Sequence, residues 1–183
     1  MIAVHAIAGA FSASDCARIL ALADTAPASD ARLVGAQRDH DIRRAELSWL
    51  DEAEGGDWVM ERIIELVRGA NREVFGFDLT EFSESPQVAA YKARHSGHFD
   101  WHADIGEGPL ARRRKLTMVV QLSDPGDYDG GALEVMPGTQ VHVAERKLGS
   151  ATLFPAFMLH RVTPVTEGVR RSLTIWAHGP SFR

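Results

Sequence analysis

The sequence predicts a mainly β domain, a sandwich or barrel, with helices flanking it. Two observations carry that expectation. From Gln87 onward the chain is written in short apolar runs separated by Gly, Pro and Asp, the punctuation of strands joined by tight turns. Ahead of that point, two longer segments repeat their apolar residues at helical spacing. With 183 residues and 45% hydrophobic content the chain can bury one ordinary core. We expect a single domain over 1–183, with a helical support region over about 1–85 and the β core over about 86–180.

Taken in order, Phe11-Ser12-Ala13-Ser14-Asp15 offers a capping residue ahead of an apolar run through Leu22, which predicts the first helix. Trp58 to about Phe75 predicts the second. Strands are predicted over Val88–Ala93, Lys115–Leu122, Ala132–Val135, Val141–Val143, Ala151–Phe154, His160–Val165 and Ser172–Ala177. The segment Ser123 to Gly131 has the Asp-Gly chemistry of a connection, with Asp124, Asp127 and Asp129 exposed and no calcium-loop spacing among them. There are no internal repeats.

A net charge of −5 gives no general attraction for nucleic acid or anionic membranes, so any acidic ligand must be held by local cations. The single cysteine, Cys16, has no internal disulfide partner and sits in the first helical segment, where it is expected to be a small core residue. The first residues lack a basic leader and are too short to span a bilayer, which makes the cytoplasm the default expectation.

Chemistry concentrates in His98-Phe99-Asp100-Trp101-His102-Ala103-Asp104 and, far downstream, in His160 and Arg170-Arg171-Ser172. On an extended stretch His102 and Asp104 project to the same side, and His160 on another strand can complete a three-ligand site. Two neutral imidazoles and one carboxylate suit Fe(II) and leave coordination positions open, the facial triad of a non-haem iron oxygenase. Zinc is the competing metal, although no His-Glu-x-x-His helix is present.

These residues, with Tyr91, Lys115 to Ser123, Gly130-Gly131-Ala132-Leu133-Glu134, Phe154-Pro155 and His160 to Val165, resemble in order and spacing the Fe(II)/2-oxoglutarate-dependent dioxygenases, in their prolyl-4-hydroxylase-like branch. The resemblance runs from about Val88 to Trp176. It implies a double-stranded β-helix, or jelly roll, supported by the N-terminal helices. It also implies Fe(II) held by His102, Asp104 and His160, 2-oxoglutarate and O2 as co-substrates, and ascorbate as a further candidate. Related halogenases carry a small residue at the carboxylate position, so Asp104 implies hydroxylation. The substrate class is left open between peptidyl proline and a free amino acid or other small metabolite. A cupin-like metal protein without oxygenase activity and a zinc hydrolase are the rival classes.

Arg170, Ser172 and Thr174 should share one face of the last strand, with Arg171 on the other. Arg170 and Ser172 would then hold the distal carboxylate of 2-oxoglutarate, and the resemblance adds the Tyr91 hydroxyl. The plainer alternative for Arg170 is a surface ion pair with Glu167 or another acid, and for Tyr91 an ordinary buried aromatic. His98 is expected to line or support the site and His95 to sit at a turn, while His5, His40, His142 and His178 carry no metal-binding spacing. Trp101 and Trp176 read as packing mass. The segment Ile105 to Arg114 is expected to be a mobile lid over the substrate side, and the run Arg112-Arg113-Arg114-Lys115 to be a solvated face or a cationic lip that contributes to substrate capture.

Overall fold

The computed structural model describes residues 3–30, 42–52 and 55–182. Two antiparallel sheets face each other, and two helices cover the outside of the larger one. The strands are β1 (His5–Ile7), β2 (Ser29–Asp30), β3 (Arg43–Arg44), β4 (Glu46–Trp49), β5 (Gln87–Lys92), β6 (His98–His102), β7 (Arg114–Gln121), β8 (Tyr128–Gly130), β9 (Leu133–Met136), β10 (His142–Val143), β11 (Ala151–Pro155), β12 (Leu159–Val162) and β13 (Val165–His178). The major sheet runs β1-β11-β7-β13-β5-β4-β2, with β8 pairing β13, and the minor sheet runs β10-β9-β12-β6-β3. This is the jelly-roll arrangement of a mainly β domain with flanking α.

The helices are α1 (Ala13–Thr25) and α2 (Asp57–Ala70). Ser12 caps α1 through a reciprocal box with Asp15: each backbone N–H donates to the other residue's side chain, both at 3.1 Å. Cys16, Ile19 and Ala23 form the buried stripe of α1, and Val59, Ile63, Val67 and Ala70 that of α2. Burial pushes the Cys16 thiol up to about 11, consistent with an inert core residue. One wider π turn carries the helical path from Asn71 to Phe75, and Gly76 ends it in the left-handed region at φ 67°.

Alternation along β7 explains both sides of the major sheet. Leu116, Met118 and Val120 pack outward on the helices, whereas Val119 belongs to the inner cluster with Leu133, Val135, Phe154 and Val162. The near-continuous apolar run from Lys115 to Leu122 is therefore a strand buried on both faces.

The front of the chain is not purely helical. Strands β1 to β4 extend both sheets, with β1 beside β11 and β4 beside β5, so residue 85 is no boundary between layers. Two to four residues are too few to show a period, and their pairing is decided by tertiary contact. The Ser123 to Gly131 connection also contributes a strand, β8, although Asp124, Asp127 and Asp129 are exposed as expected. The last strand opens at Val165 rather than near Arg170, passing through Gly168 at φ 68°, where a Cβ would lie 2.0 Å from the Asp127 carbonyl oxygen. No helix among the described residues is long and apolar enough to cross a membrane.

Candidate active site

The metal-type cluster is built by register. His102, closing β6, pairs directly with His160 on β12, and Asp104 follows on the outgoing loop. That loop is pinned where it starts, because the N–H groups of Asp104 and Ile105 both donate to the Ala156 carbonyl, at 2.9 and 3.1 Å. One ligand atom from each of His102, Asp104 and His160 lies within 4.8 Å of the others. Each imidazole Nδ1 sits on a backbone carbonyl two residues upstream, His102 on Asp100 at 2.7 Å and His160 on Met158 at 2.9 Å. Donation from Nδ1–H fixes the tautomer and turns the Nε2 lone pair inward.

The electrostatics favour ligation. Burial, reinforced by neighbouring His160, pushes His102 down to about 4, so its ring is neutral near pH 7. Burial works in the opposite sense on Asp104, yet the two imidazoles, the Thr117 hydroxyl and the Trp176 indole keep its carboxyl below the ordinary range. Thr117 Oγ1 donates to Asp104 Oδ2 at 2.6 Å.

A second group lies deeper. Arg170 is 1% exposed and faces Tyr91 across the β5–β13 pair, its Cζ 5.5 Å from the ring centroid. Its Nη1 reaches Ser172 Oγ at 3.4 Å, while Nη2 is buried without a hydrogen-bond partner. The Tyr128 hydroxyl is equally buried and unpartnered; burial lowers the Arg170 guanidinium below its ordinary value, and Tyr91 and then Tyr128 oppose that shift. Gly131, at φ 60°, makes room for the arginine stem: a Cβ there would lie 3.0 Å from Arg170 Cδ. Arg171 points outward to Asp24 on α1, at 2.9 Å. The alternation read from the sequence is thus the observed one, and the Glu167 pairing is not formed.

The metal-type cluster and, from the second group, Tyr91 and Ser172 border one cavity of about 850 Å³, walled by Leu47, Val119, Leu133 and Val162. Tyr91 and Ser172 reach it at one end, the triad opens on it, and Ile105, Gly106 and Glu107 border it. An orphaned buried guanidinium nitrogen beside an orphaned buried phenol is what a site for a small carboxylate requires, and the donor set above fits Fe(II).

Comparison with known proteins agrees with this geometry. Residues 86–178 match the family model of the 2OG-Fe(II) oxygenase superfamily. The chain belongs to that superfamily. A PKHD-type hydroxylase of Caulobacter sp. (strain K31) is 47% identical over 64 residues, which is 35% of this chain and 28% of that protein. The matched stretch is thus a minor part of that relative's length. A prolyl hydroxylase from Trichoplax adhaerens, solved with a hypoxia inducible factor peptide fragment, superposes with a TM-score of 0.79 at 20% identity, over 96% of this chain and 83% of the other. A prolyl-4-hydroxylase of Pseudomonas putida gives 0.75 at 23% identity, over 99% and 95%. At these identities the two structures speak for the fold.

In this chain the basic run is neither a solvated face nor a cationic lip. Arg113 pairs with Glu81, and Arg114 makes two bonds to Glu84, donates to the Asp104 carbonyl at 3.0 Å and lies 3.9 Å over the Trp176 ring. Lys115 covers the Phe182 ring at 3.5 Å, which leaves Arg112 exposed. Glu84 also takes buried His178, Nε2 to Oε2 at 3.0 Å. His95 sits in a turn, His98 Nδ1 contacts the Ser96 carbonyl at 2.8 Å, His142 is exposed and His5 packs edge-on against Phe75. His40 lies outside the described residues. Trp176 borders the cavity, and Trp101 lies under Arg161 at 4.7 Å.

Sequence reasoning missed Thr117, Tyr128, Phe99, Arg43 and Glu84. Alternation from Val119 would have turned Thr117 inward, and Tyr128 precedes a Gly-Gly pair with an evident packing purpose. The roles of Arg43 and Glu84 arise from long-range pairing and had no local signal.

Proposed function

We propose that this chain is an Fe(II)- and 2-oxoglutarate-dependent dioxygenase that hydroxylates an unactivated C–H bond, with prolyl-4-hydroxylase-like activity as its leading form. The observation that carries the proposal is the convergence on one cavity of the His102, Asp104 and His160 cluster with the group around buried Arg170. A cupin-like protein without oxygenase activity has no use for the second group.

In this reading His102 and His160 offer Nε2, and Asp104 an oxygen, to Fe(II). Arg170 and Ser172 hold the far carboxylate of 2-oxoglutarate, with the Tyr91 and Tyr128 hydroxyls beside it. When bound, iron would supply the chemistry by which O2 is divided between the two co-reactants, one oxygen atom turning C–H into C–OH and the other entering succinate as 2-oxoglutarate loses carbon dioxide. The chain's own work is positional. Thr117 fixes one oxygen of Asp104, the Asp100 and Met158 carbonyls fix the two imidazoles, and the apolar walls exclude water and aim one C–H bond at the metal. No side chain is needed as a general acid or base.

A free amino acid or other small metabolite is the second reading. The cavity volume favours it, since about 850 Å³ falls within the usual range for small-molecule sites. The proposal places the reaction in the cytoplasm, a setting that suits the unpaired, buried Cys16. Anaerobic protein loaded with Fe(II) and titrated with 2-oxoglutarate should develop the visible charge-transfer band of a chelated keto acid. Succinate release should then rise with proline peptides or with free amino acids. A metal-loaded protein that fails to bind 2-oxoglutarate overturns the proposal.

A further inference from the structure

At the end of the cavity away from Arg170, a second guanidinium borders the lining, and no acid among the described residues pairs with it. Arg43 on β3 stands directly opposite Phe99 on β6, its Cζ 4.5 Å from the ring centroid. The row continues through Val162 and Leu133, and all four residues border the cavity. From the facing sheet, buried Gln87 accepts a hydrogen bond from Arg43 Nη2 at 2.8 Å. Arg43 therefore bridges the two sheets and is held by a neutral amide on one side and an aromatic face on the other. Its Nε is buried without a partner, and among the described residues no carboxylate pairs with it. A half-buried guanidinium with an unpartnered Nε and no counter-ion among the described residues is free to take an anion that completes it.

We propose that Arg43, held by Gln87 and Phe99, recognises a carboxylate on the primary substrate, so that the oxygenase acts on an acid-bearing small molecule or on the C-terminal residue of a peptide. The inference rests on the hydroxylase reading above and narrows its substrate class. Three features support a substrate site over a second co-substrate site. Gln87 shares its cross-strand row with Thr174, and Arg170 lies two inward-facing positions further along β13. Arg43 is separated from His102 only by the Phe99 ring, which stacks on the imidazole at 3.4 Å. A carboxylate seated on Arg43 thus leaves its own carbon skeleton over Phe99, pointing at the metal-type cluster along apolar walls. The planar guanidinium fork also matches a carboxylate in geometry as well as charge.

The test is binding, measured without turnover. Protein loaded with Mn(II) and 2-oxoglutarate is titrated with paired probes and followed by paramagnetic broadening of the probe's NMR signals. The pairs are N-acetyl-proline and N-acetyl-leucine with their amides, and a short proline-ended peptide with its C-terminal amide. In the wild type each recognised acid should bind at least about tenfold more tightly than its amide, the usual scale for losing a charge-assisted pair. Preference confined to the acetyl amino acids assigns a metabolite, and preference extending to the peptide assigns a C-terminus. Arg43→Gln should erase the preference. Gln87→Glu should also erase it by supplying an internal counter-ion while Arg43 stays in place. Arg43→Lys should keep part of it.

Equal binding of acids and amides by the wild type, or binding of neither, overturns the proposal without any variant. So does a preference that survives Arg43→Gln. Loss of 2-oxoglutarate binding in Arg43→Gln would move Arg43 to the co-substrate and overturn it too. Failure of the hydroxylase reading is seen separately, as wild-type protein that does not take up 2-oxoglutarate at all.

Discussion

Phe99 and His102 stack ring on ring, their centroids 3.4 Å apart, although they lie three positions apart on one strand. Strict alternation would send them to opposite faces. The register across to β12 shows why they meet: Phe99 pairs with Val162 and His102 with His160, so β6 spends three residues where β12 spends two. This bulge re-aims His102 into the cavity and keeps Phe99 beneath it.

Removing the Thr117 hydroxyl tests how tightly the carboxylate is oriented. Thr117→Val should weaken Fe(II) binding about 10- to 100-fold while leaving the fold intact, the usual cost of losing a partner behind a metal ligand. His102→Ala, Asp104→Ala and His160→Ala should each abolish binding. Calorimetric metal titration under nitrogen gives the comparison, and full affinity in Thr117→Val would show that Asp104 is oriented by other contacts.

Arg170 and Arg171 are neighbours with opposite fates, one buried and one paired with Asp24 at the surface. Arg170→Ala should raise the dissociation constant for 2-oxoglutarate on the order of 10- to 100-fold. Arg171→Ala should leave it unchanged and cost less than about 1 kcal/mol of stability. A larger effect at Arg171 in a 2-oxoglutarate titration would contradict the register of β13.

Gly131→Ala should act on the same binding step from behind. The added methyl would meet Val165 Cγ2 at 2.9 Å and Arg170 Cδ at 3.0 Å, in a backbone conformation that alanine disfavours. We expect a loss of about 1–2 kcal/mol in stability and weaker 2-oxoglutarate binding together. Urea unfolding combined with ligand titration separates the two, and unaltered ligand affinity would show that the stem of Arg170 shifts freely.

Glu84 sets an acid limit on stability. Burial alone would raise its carboxyl, but bonds from His178 and Arg114 hold it at about 2, below the ordinary value of 4.5. A depressed carboxyl contributes stability that is complete above its unfolded pKa and is lost as pH falls from about 4.5 toward 2. The contribution is on the order of 2–3 kcal/mol near neutrality. Glu84→Gln should therefore lower stability at pH 7 and flatten the decline between pH 5 and 3 in denaturant unfolding. Parallel curves for the two proteins would show that the cluster is not pH-linked.

The sequence made legible those features that depend on period and spacing. The stripes of α1 and α2, the double burial of β7 and the inward Arg170-x-Ser172 all follow from residues a few positions apart. The cluster of His102, Asp104 and His160 was legible because strand alternation and residue type sufficed, even though the bulge in β6 was invisible. What was lost belongs to pairing at a distance. Nothing near Arg43 marks it as the partner of Phe99 and Gln87, and four consecutive cations look alike until Glu81, Glu84 and Phe182 arrive from elsewhere to divide them.

That division has an evolutionary side. The stretch leaving Asp104 is fastened to the Ala156 carbonyl where it begins and to Glu81 and Glu84 where β7 takes over. What lies between, Ile105 to Leu110, borders the cavity through Ile105, Gly106 and Glu107 and contributes neither a ligand nor a sheet pairing. Lengthening it costs little in chain entropy, since doubling a loop adds only about 0.6 kcal/mol. A lineage built on this scaffold could therefore rewrite what the cavity accepts, residue by residue or by whole insertions, while the cluster of His102, Asp104 and His160 is inherited intact.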